Sequence, residues 1–291
     1  MTVKMKNLWE VKYISPEYKE VVLVPIYKRE EYLPLCLEAL RAADRTIRIV
    51  VFCDRGWAGE EVPICQICEP FGAEVVIQPC HAWRGNSYNV LKAYAWAVEQ
   101  GYDRTYLVES DVIVKPDFFR WHRAVMEKNP KCPVSVGWYR EGLFGNHLSY
   151  HLTTNYSSIG VCWRTEALLK VLKHLNYQYL QNLSDYCERV FKGQAYTGGG
   201  GEQDGLICAV ICQEKWWSIY PAVARCRHIG WYGYNRGWKE GPSGTFEEKV
   251  QFTRSIMNDR TEMVKRLGEK DTCDMRMYPM DWKEGDLIQE S

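Results

Sequence analysis

Four short apolar runs, separated by stretches of helical periodicity, govern how the first 115 residues can fold. Val21 to Ile26 is the first run, with Pro25 near its end. Ile47 to Phe52 is the second, closed by the turn signal Cys53-Asp54-Arg55-Gly56. Ala73 to Ile77 and Tyr106 to Val114 are the third and fourth. Between them Leu33, Leu37 and Leu40 recur at helical spacing, and a short helix fits residues 60–70. In RGNSYNVLKAYAWAVEQG, residues Val90, Tyr94, Ala97 and Val98 share one helical face, Asn86 or Ser87 suits the N-cap, and Gly101 suits the C-terminal cap. Short apolar runs without alternation are strands buried on both faces, and strands alternating with helices make a mainly parallel sheet. The expected class is therefore α/β, with helices on both faces of the sheet. No G-x-G-x-x-G follows the first run and no G-x-x-x-x-G-K-[ST] occurs, which removes the dinucleotide fingerprint and the P-loop.

The fourth run is anomalous. In YLVESDVIVKPDFF, Glu109 and Asp111 interrupt an otherwise apolar segment. On a strand, residues two apart face the same side. Two buried like charges repel and cost several kcal/mol unless something neutralises them. A divalent cation would do so, since Mg2+ and Mn2+ favour carboxylate oxygens and are shared with substrate phosphates. The plainer alternative is that the run ends at Val108 and the carboxylates sit in a solvated turn. Ligands of open α/β sheets bind beyond the carboxyl ends of the strands. Those ends carry Pro25, Tyr27 and Arg29 after the first strand, Asp54 after the second, and Glu109 and Asp111 at the fourth.

In the second half, Val134 to Tyr139 and Ile159 to Trp163 read as strands and Glu166 to Leu175 as a helix. TGGGGEQDGLICAVICQEKWW follows. Gly198 to Gly201 permit close backbone approach or a moving lid. Glu202 and Asp204 then stand at the start of a helix continued by Leu206, Ile207, Val210 and Ile211, where either could cap it. Either could also serve as a general base. KWWSIYPAVARCRHIGWYGYNRGWK, residues 215–239, holds five Lys/Arg, seven Trp/Tyr and no acid. His228 stands at the end of an expected strand, Ala222 to Cys226, as a structural histidine or a ligand. Residues 246–270 read as one or two amphipathic helices ending at Gly268, and the last twenty residues as a loosely ordered polar tail.

Lys and Arg number 37, as do Asp and Glu, so bulk charge demands neither nucleic acid nor an anionic membrane. The N-terminal segment has no signal-peptide h-region, and no stretch reaches the roughly 18 apolar residues of a membrane helix. The expected location is the cytoplasm, of a cell or of a virus-infected host. That makes reduced thiols the expected state of the 12 cysteines. Cys65 and Cys68, with Cys80 beyond them, could be half of a zinc site, or Cys65 and Cys68 could lie one turn apart on a buried helix face.

Taken together, VPIYKRE, Asp54, ESD, GGGGEQD and RHIG resemble the GT-A fold glycosyltransferases, closest to the family 2-like enzymes, over roughly residues 20–235. The resemblance implies a Rossmann-like nucleotide-binding sheet with a continuous acceptor-side subdomain. Its donor half would be residues 1–130, its acceptor and catalytic half 131–245, and a helical tail 246–291. It implies a metal-dependent enzyme that moves a sugar from a nucleotide sugar, UDP by family habit, to an acceptor hydroxyl, with inversion. ESD stands for the family's D-x-D with Glu in first place. Asp111 would be the metal ligand, Glu109 a second ligand or a contact to ribose or sugar, and His228 the third ligand of Mn2+ or Mg2+. Pro25, Tyr27, Arg29, Asp54 and Arg84 would bind the donor, and Arg225, Arg227 and Arg236 would neutralise the leaving diphosphate. Asp204, with Glu202 second, would be the base, although the family often has an acid where Gln203 stands. The acceptor would be a glycan, a lipid-linked sugar or, as for some bacteriophage enzymes, hydroxymethylpyrimidine DNA, for which residues 215–239 supply cations and rings. A sugar-1-phosphate nucleotidyltransferase would need a glycine-rich loop where PIYKREE stands. A non-enzymatic carbohydrate- or nucleic-acid-binding protein would have no use for acids and a histidine at the sheet ends.

Overall fold

The computed structural model describes residues 18–54, 62–78, 85–140, 142–192, 202–233, 238–268 and 278–290. Arg84, Arg236, Cys80, the Gly198–Gly201 run and the Arg55-Gly56 end of the first turn signal lie outside these residues. The first half runs β1 (Glu20–Ile26), α1 (Leu33–Ala43), β2 (Arg48–Cys53), α2 (Ile64–Cys68), β3 (Glu74–Ile77), α3 (Gly85–Glu99), β4 (Arg104–Leu107), β5 (Val112–Val114) and α4 (Phe118–Lys128). The second half runs β6 (Val134–Val136), β7 (Ser149–Thr153), β8 (Val161–Arg164), α5 (Leu168–Leu172), α6 (Tyr177–Gln181), α7 (Leu183–Val190), α8 (Gln203–Gln213), β9 (Ser218–Pro221) and β10 (Cys226–His228). Helices α9 (Phe246–Asn258) and α10 (Arg260–Leu267) and strand β11 (Ile288–Gln289) complete the chain.

Nine strands form one sheet in the order β11-β7-β9-β6-β8-β4-β1-β2-β3. Five of its eight neighbouring pairs are parallel, including the run β4-β1-β2-β3 that the apolar segments predict. β1 is buried from Val21 to Ile26, as a strand covered on both faces must be. Pro25 is tolerated there because β4 has already ended opposite Leu23, so no ladder partner is lost on that side. The sheet is shared by both halves of the chain.

The fourth apolar run is not one strand. β4 stops at Leu107, the Val108 N–H still bonds Leu23 O at 3.0 Å, and a turn closed by Val112 N–H to Glu109 O at 2.9 Å reverses the chain. β5 then leaves the large sheet and pairs antiparallel with β10, with Val112 opposite His228 and Val114 opposite Cys226. The carboxylates thus occupy a corner between two sheets. The expected strand over 222–226 is corrected in the same way. β9 belongs to the large sheet and β10 to the small one, and residues 222–225 cross between them.

Other local expectations fare unevenly. Gly101 ends α3 at φ +66°, with Tyr102 N–H reaching back to Ala97 O. Asn86 and Ser87 lie inside the first turn of α3 and do not cap it. Cys65 is exposed while Cys68 is buried, so they do not share a buried face. Among the described residues, no group of three or more His, Cys, Asp or Glu is set to hold a metal. Helices α9 and α10 are the two amphipathic helices. α9 opens on a capping box between Thr245 and Glu248, and α10 ends before Gly268. The tail corrects its expectation. Trp282 and Leu287 are buried and β11 pairs with β7, so residues 278–290 are docked.

Candidate active site

The corner after β4 brings Asp111 beside β10. Asp111 is 5% exposed, and its Oδ2 lies 3.1 Å from Arg29 Nη1 and 3.3 Å from His228 Nε2. The Ile229 N–H bonds Asp111 O at 2.8 Å, which pins the two segments together. Gly230 follows, where a Cβ would stand 2.1 Å from Asp111 Oδ2 and 2.8 Å from His228 Cε1, so glycine is required for the approach. Arg29 reaches the corner from an unusual backbone, because both Lys28 and Arg29 have left-handed φ angles, +58° and +57°. Its Nη1 also donates to Tyr232 O at 2.9 Å. Burial, the largest single influence, works against the Arg29 charge, but Asp111, Tyr32, Tyr232 and Glu109 together outweigh it and raise the guanidinium above its usual range.

A second acidic pair lies beside the first. The Ser158 hydroxyl is 3.4 Å from Glu109 Oε1 and 3.3 Å from Asp204 Oδ2. Burial, then the charges of Asp111 and Asp204, push Glu109 up to about 7, against the pull of His228 and Arg29. Burial pushes Asp204 up to about 6, opposed by the Ser158 hydrogen bonds and assisted by Glu202. Asp204 Oδ1 is buried and has no hydrogen-bond partner among the described residues.

Asp204 stands in the first turn of α8, whose remaining residues are mostly buried. Glu202 is the N-cap residue, but it is exposed and its side chain makes no capping bond. Gln203 between them is buried and engages Ser87. Ser87 Oγ donates to Gln203 Oε1 at 3.0 Å and accepts from the Gln203 N–H at 3.1 Å. This pair locks the start of α8 onto the start of α3. It gives the amide at position 203 a structural reason.

Of the other expected donor residues, Asp54 is 3% exposed at the end of β2. Nearby, Asn89 from α3 donates to Phe52 O at 2.9 Å. Tyr27 is exposed just past β1, and Pro25 is buried within it. Arg225 is a correction. It is fully buried, its Nη1 bonds Asp117 Oδ2 at 2.7 Å, and the rings of Tyr278, Trp121 and Trp282 surround its guanidinium. A group so enclosed cannot meet a diphosphate. Arg227 alternates with His228 along β10 and so faces the opposite side of the ribbon. Part of the aromatic stretch is absorbed in the same way, while Trp217 is exposed. Trp231 and Tyr220 are buried, and Trp238 packs over Arg266.

Ser158, Gly230 and the Tyr232 carbonyl were not legible as site groups. Ser158 sits in an ordinary polar turn, and Gly230 is visible only as part of RHIG.

No family model matches the chain, and no curated protein matches it. Among solved structures it is similar to a mannosyltransferase from Pyrobaculum calidifontis in complex with GDP-Man and Mn2+, at 12% identity over 88% of this chain and 76% of that one, TM-score 0.48. It is similar to Staphylococcus aureus TarS residues 1–349 in complex with UDP-GlcNAc, at 14% identity over 85% and 69%, TM-score 0.47. It is also similar to glucosyl-3-phosphoglycerate synthase from Mycobacterium tuberculosis in complex with Mn2+, UDP and glucosyl-3-phosphoglycerate, at 13% identity over 87% and 81%, TM-score 0.44.

Proposed function

We propose that this chain is a metal-dependent glycosyltransferase that moves a sugar from a nucleotide sugar to an acceptor hydroxyl with inversion. The observation that carries the reading is one arrangement at the sheet's ligand-binding edge. An Asp111–His228 pair lies beside a separate half-buried carboxylate, Asp204, one oxygen of which has no partner among the described residues. A binding protein needs no such second acid.

Asp111 Oδ2 and His228 Nε2 are close enough to be neighbouring ligands of one Mn2+ or Mg2+. With no third described ligand, the set suits a cation completed by substrate phosphates and water rather than a closed structural site. Bound there, the metal supplies positive charge to the leaving diphosphate. Asp54 accepts from the nucleotide base, and Tyr27 offers it an exposed ring. Glu109 faces Ser158 and Asp204 as well as Asp111, which favours a contact to the donor's sugar over metal ligation. Arg29 adds a fixed cation. In the transfer, the Asp204 carboxylate takes the acceptor's proton while the acceptor's oxygen bonds the anomeric carbon. The bond from that carbon to the diphosphate oxygen breaks, and the nucleoside diphosphate leaves with the electron pair. An acid held near pH 6 is ionised at neutral pH yet basic enough for this role. Arg225, Tyr220 and Trp231 are spent in internal contacts, which takes them away from a DNA acceptor.

The test is incubation with Mn2+ and UDP-glucose, UDP-N-acetylglucosamine or GDP-mannose, following free nucleotide and thermal stabilisation. Metal-dependent release that Asp111→Ala abolishes supports the reading. Neither release nor stabilisation with any of the three overturns it.

A further inference from the structure

Ser158 is 4% exposed and lies in the turn that leads into β8. That turn is held on two sides. Gly160 has φ +62°, and a Cβ there would meet Cys226 Sγ at 2.6 Å. The Gly137 N–H bonds Gly160 O at 2.6 Å, and Cys226 Sγ donates to Ile159 O at 3.6 Å. Cys226 opens β10, the strand that ends at His228. The turn is therefore fixed to the same ribbon that carries the histidine, while its serine touches α8.

The chemistry of the hydroxyl is specific. It lies within reach of one oxygen of Glu109 and one of Asp204, but it has a single proton and donates to one carboxylate at a time. Ser158 supplies the hydrogen bonds that oppose the burial of the Asp204 charge, one from its side chain and one from its backbone. With Oδ2 so engaged, Oδ1 has no partner among the described residues. The other ionisable groups facing Asp204 are Glu109, Glu202, Tyr94 from α3, Tyr156, Tyr220 from β9 and Cys208 from α8. Of these, Tyr94 and Tyr156 hydrogen-bond to each other.

We propose that Ser158 is a positioning residue that joins the donor side of the site to its base, holding Asp204 by Oδ2 and so fixing the carboxylate that receives the acceptor proton. The role rests on the glycosyltransferase reading above. When the donor's hydroxyls engage Glu109, the Ser158 hydroxyl keeps its proton and turns its hydrogen bond from that carboxylate to Asp204 Oδ2. Loss of the hydroxyl leaves the backbone bond, so the turn still folds, but the carboxylate can rotate and the base is no longer tied to donor occupancy.

The experiment compares Ser158→Ala, Ser158→Thr and the neighbouring control Ser157→Ala. Free UDP released from UDP-glucose in Mn2+ gives kcat and KM. The carboxyl carbon resonance of Asp204, assigned by its loss in Asp204→Asn, gives its titration midpoint without any turnover. Ser158→Ala is expected to lower kcat about tenfold with KM for UDP-glucose changed less than about twofold, and to raise the Asp204 midpoint by about one pH unit. Ser158→Thr restores both, and Ser157→Ala moves neither. A Ser158→Ala protein whose Asp204 titrates as in the wild type overturns the proposal, as does an equal loss in Ser158→Ala and Ser157→Ala. If the wild type neither releases nucleotide from nor is stabilised by any of UDP-glucose, UDP-N-acetylglucosamine and GDP-mannose while the midpoint still moves, the transferase reading and the coupling to the donor fall, and the contact to Asp204 stands.

Discussion

Removing the Asp117 carboxylate should destabilise this protein more than almost any other single polar change. Asp117 is 3% exposed and accepts three hydrogen bonds: from Arg225 Nη1 at 2.7 Å, Trp282 Nε1 at 2.9 Å and the Tyr278 hydroxyl at 2.9 Å. Arg225 has no exposure at all, so Asp117→Ala leaves a guanidinium enclosed by rings without its counter-charge. Breaking a buried pair in this way costs about 3–5 kcal/mol. Unfolding entropy of about 2.1 cal/mol/K per residue over 291 residues is about 0.6 kcal/mol/K, so a loss of about 4 kcal/mol lowers Tm by about 7 °C. Urea unfolding followed by tryptophan fluorescence, with calorimetry for Tm, measures both. The companion is Asp117→Ala combined with Arg225→Met, which removes both charges and should recover at least half the loss, because apolar replacement of a buried pair is often neutral. That double variant should also keep nucleotide-induced stabilisation. A loss below about 1 kcal/mol in Asp117→Ala, or no recovery in the double variant, refutes the assignment of Arg225 to the fold. Loss of nucleotide binding in the double variant would return Arg225 to the donor site.

Gly230→Ala places a methyl group where Asp111 Oδ2 and His228 now meet. It should cut Mn2+-dependent nucleotide release at least tenfold while costing about 1–3 kcal/mol of stability in urea unfolding. Asp204→Asn should lower release by about 10²–10⁴-fold and leave thermal stabilisation by UDP with Mn2+ unchanged. Since Asp204 is raised to about 6, release should climb with pH through that value in a rate profile. Its contribution to stability has the opposite slope. With a folded pKa above the ordinary aspartate value, it favours the fold fully below about 4 and is lost as pH rises through about 6, which a pH series of urea midpoints resolves in wild type against Asp204→Asn. Gln203→Ala removes the side-chain bond from Ser87 and keeps the backbone one, and should cost about 1 kcal/mol by the same unfolding measurement.

Apolar periodicity made the parallel core readable, because β1, β2 and β4 are buried along nearly their whole length, while β3 at the sheet edge is partly exposed. Acids at strand ends made Asp111, Asp54 and Asp204 readable as candidates. The run over 106–114 shows the limit of that signal. Its composition allowed a buried strand or a solvated turn, and the fold makes a buried turn, which local sequence has no way to encode. Arg225 and His228 stand three apart in one basic, aromatic stretch, yet one is locked under the docked tail and the other faces Asp111. Which fate each met depends on Asp117, Trp282 and Gly230, residues distant in sequence from at least one of their partners. Ser158 is the sharpest case, since its two contacts lie 49 and 46 residues away. Hydrophobic burial is read from spacing along the chain, so the sequence determined the strands and the side on which a ligand would lie. Hydrogen bonds and charge pairs are set by distance in space, so only the tertiary structure decided which acids meet a cation, which meets a hydroxyl, and which arginine is merely part of the core.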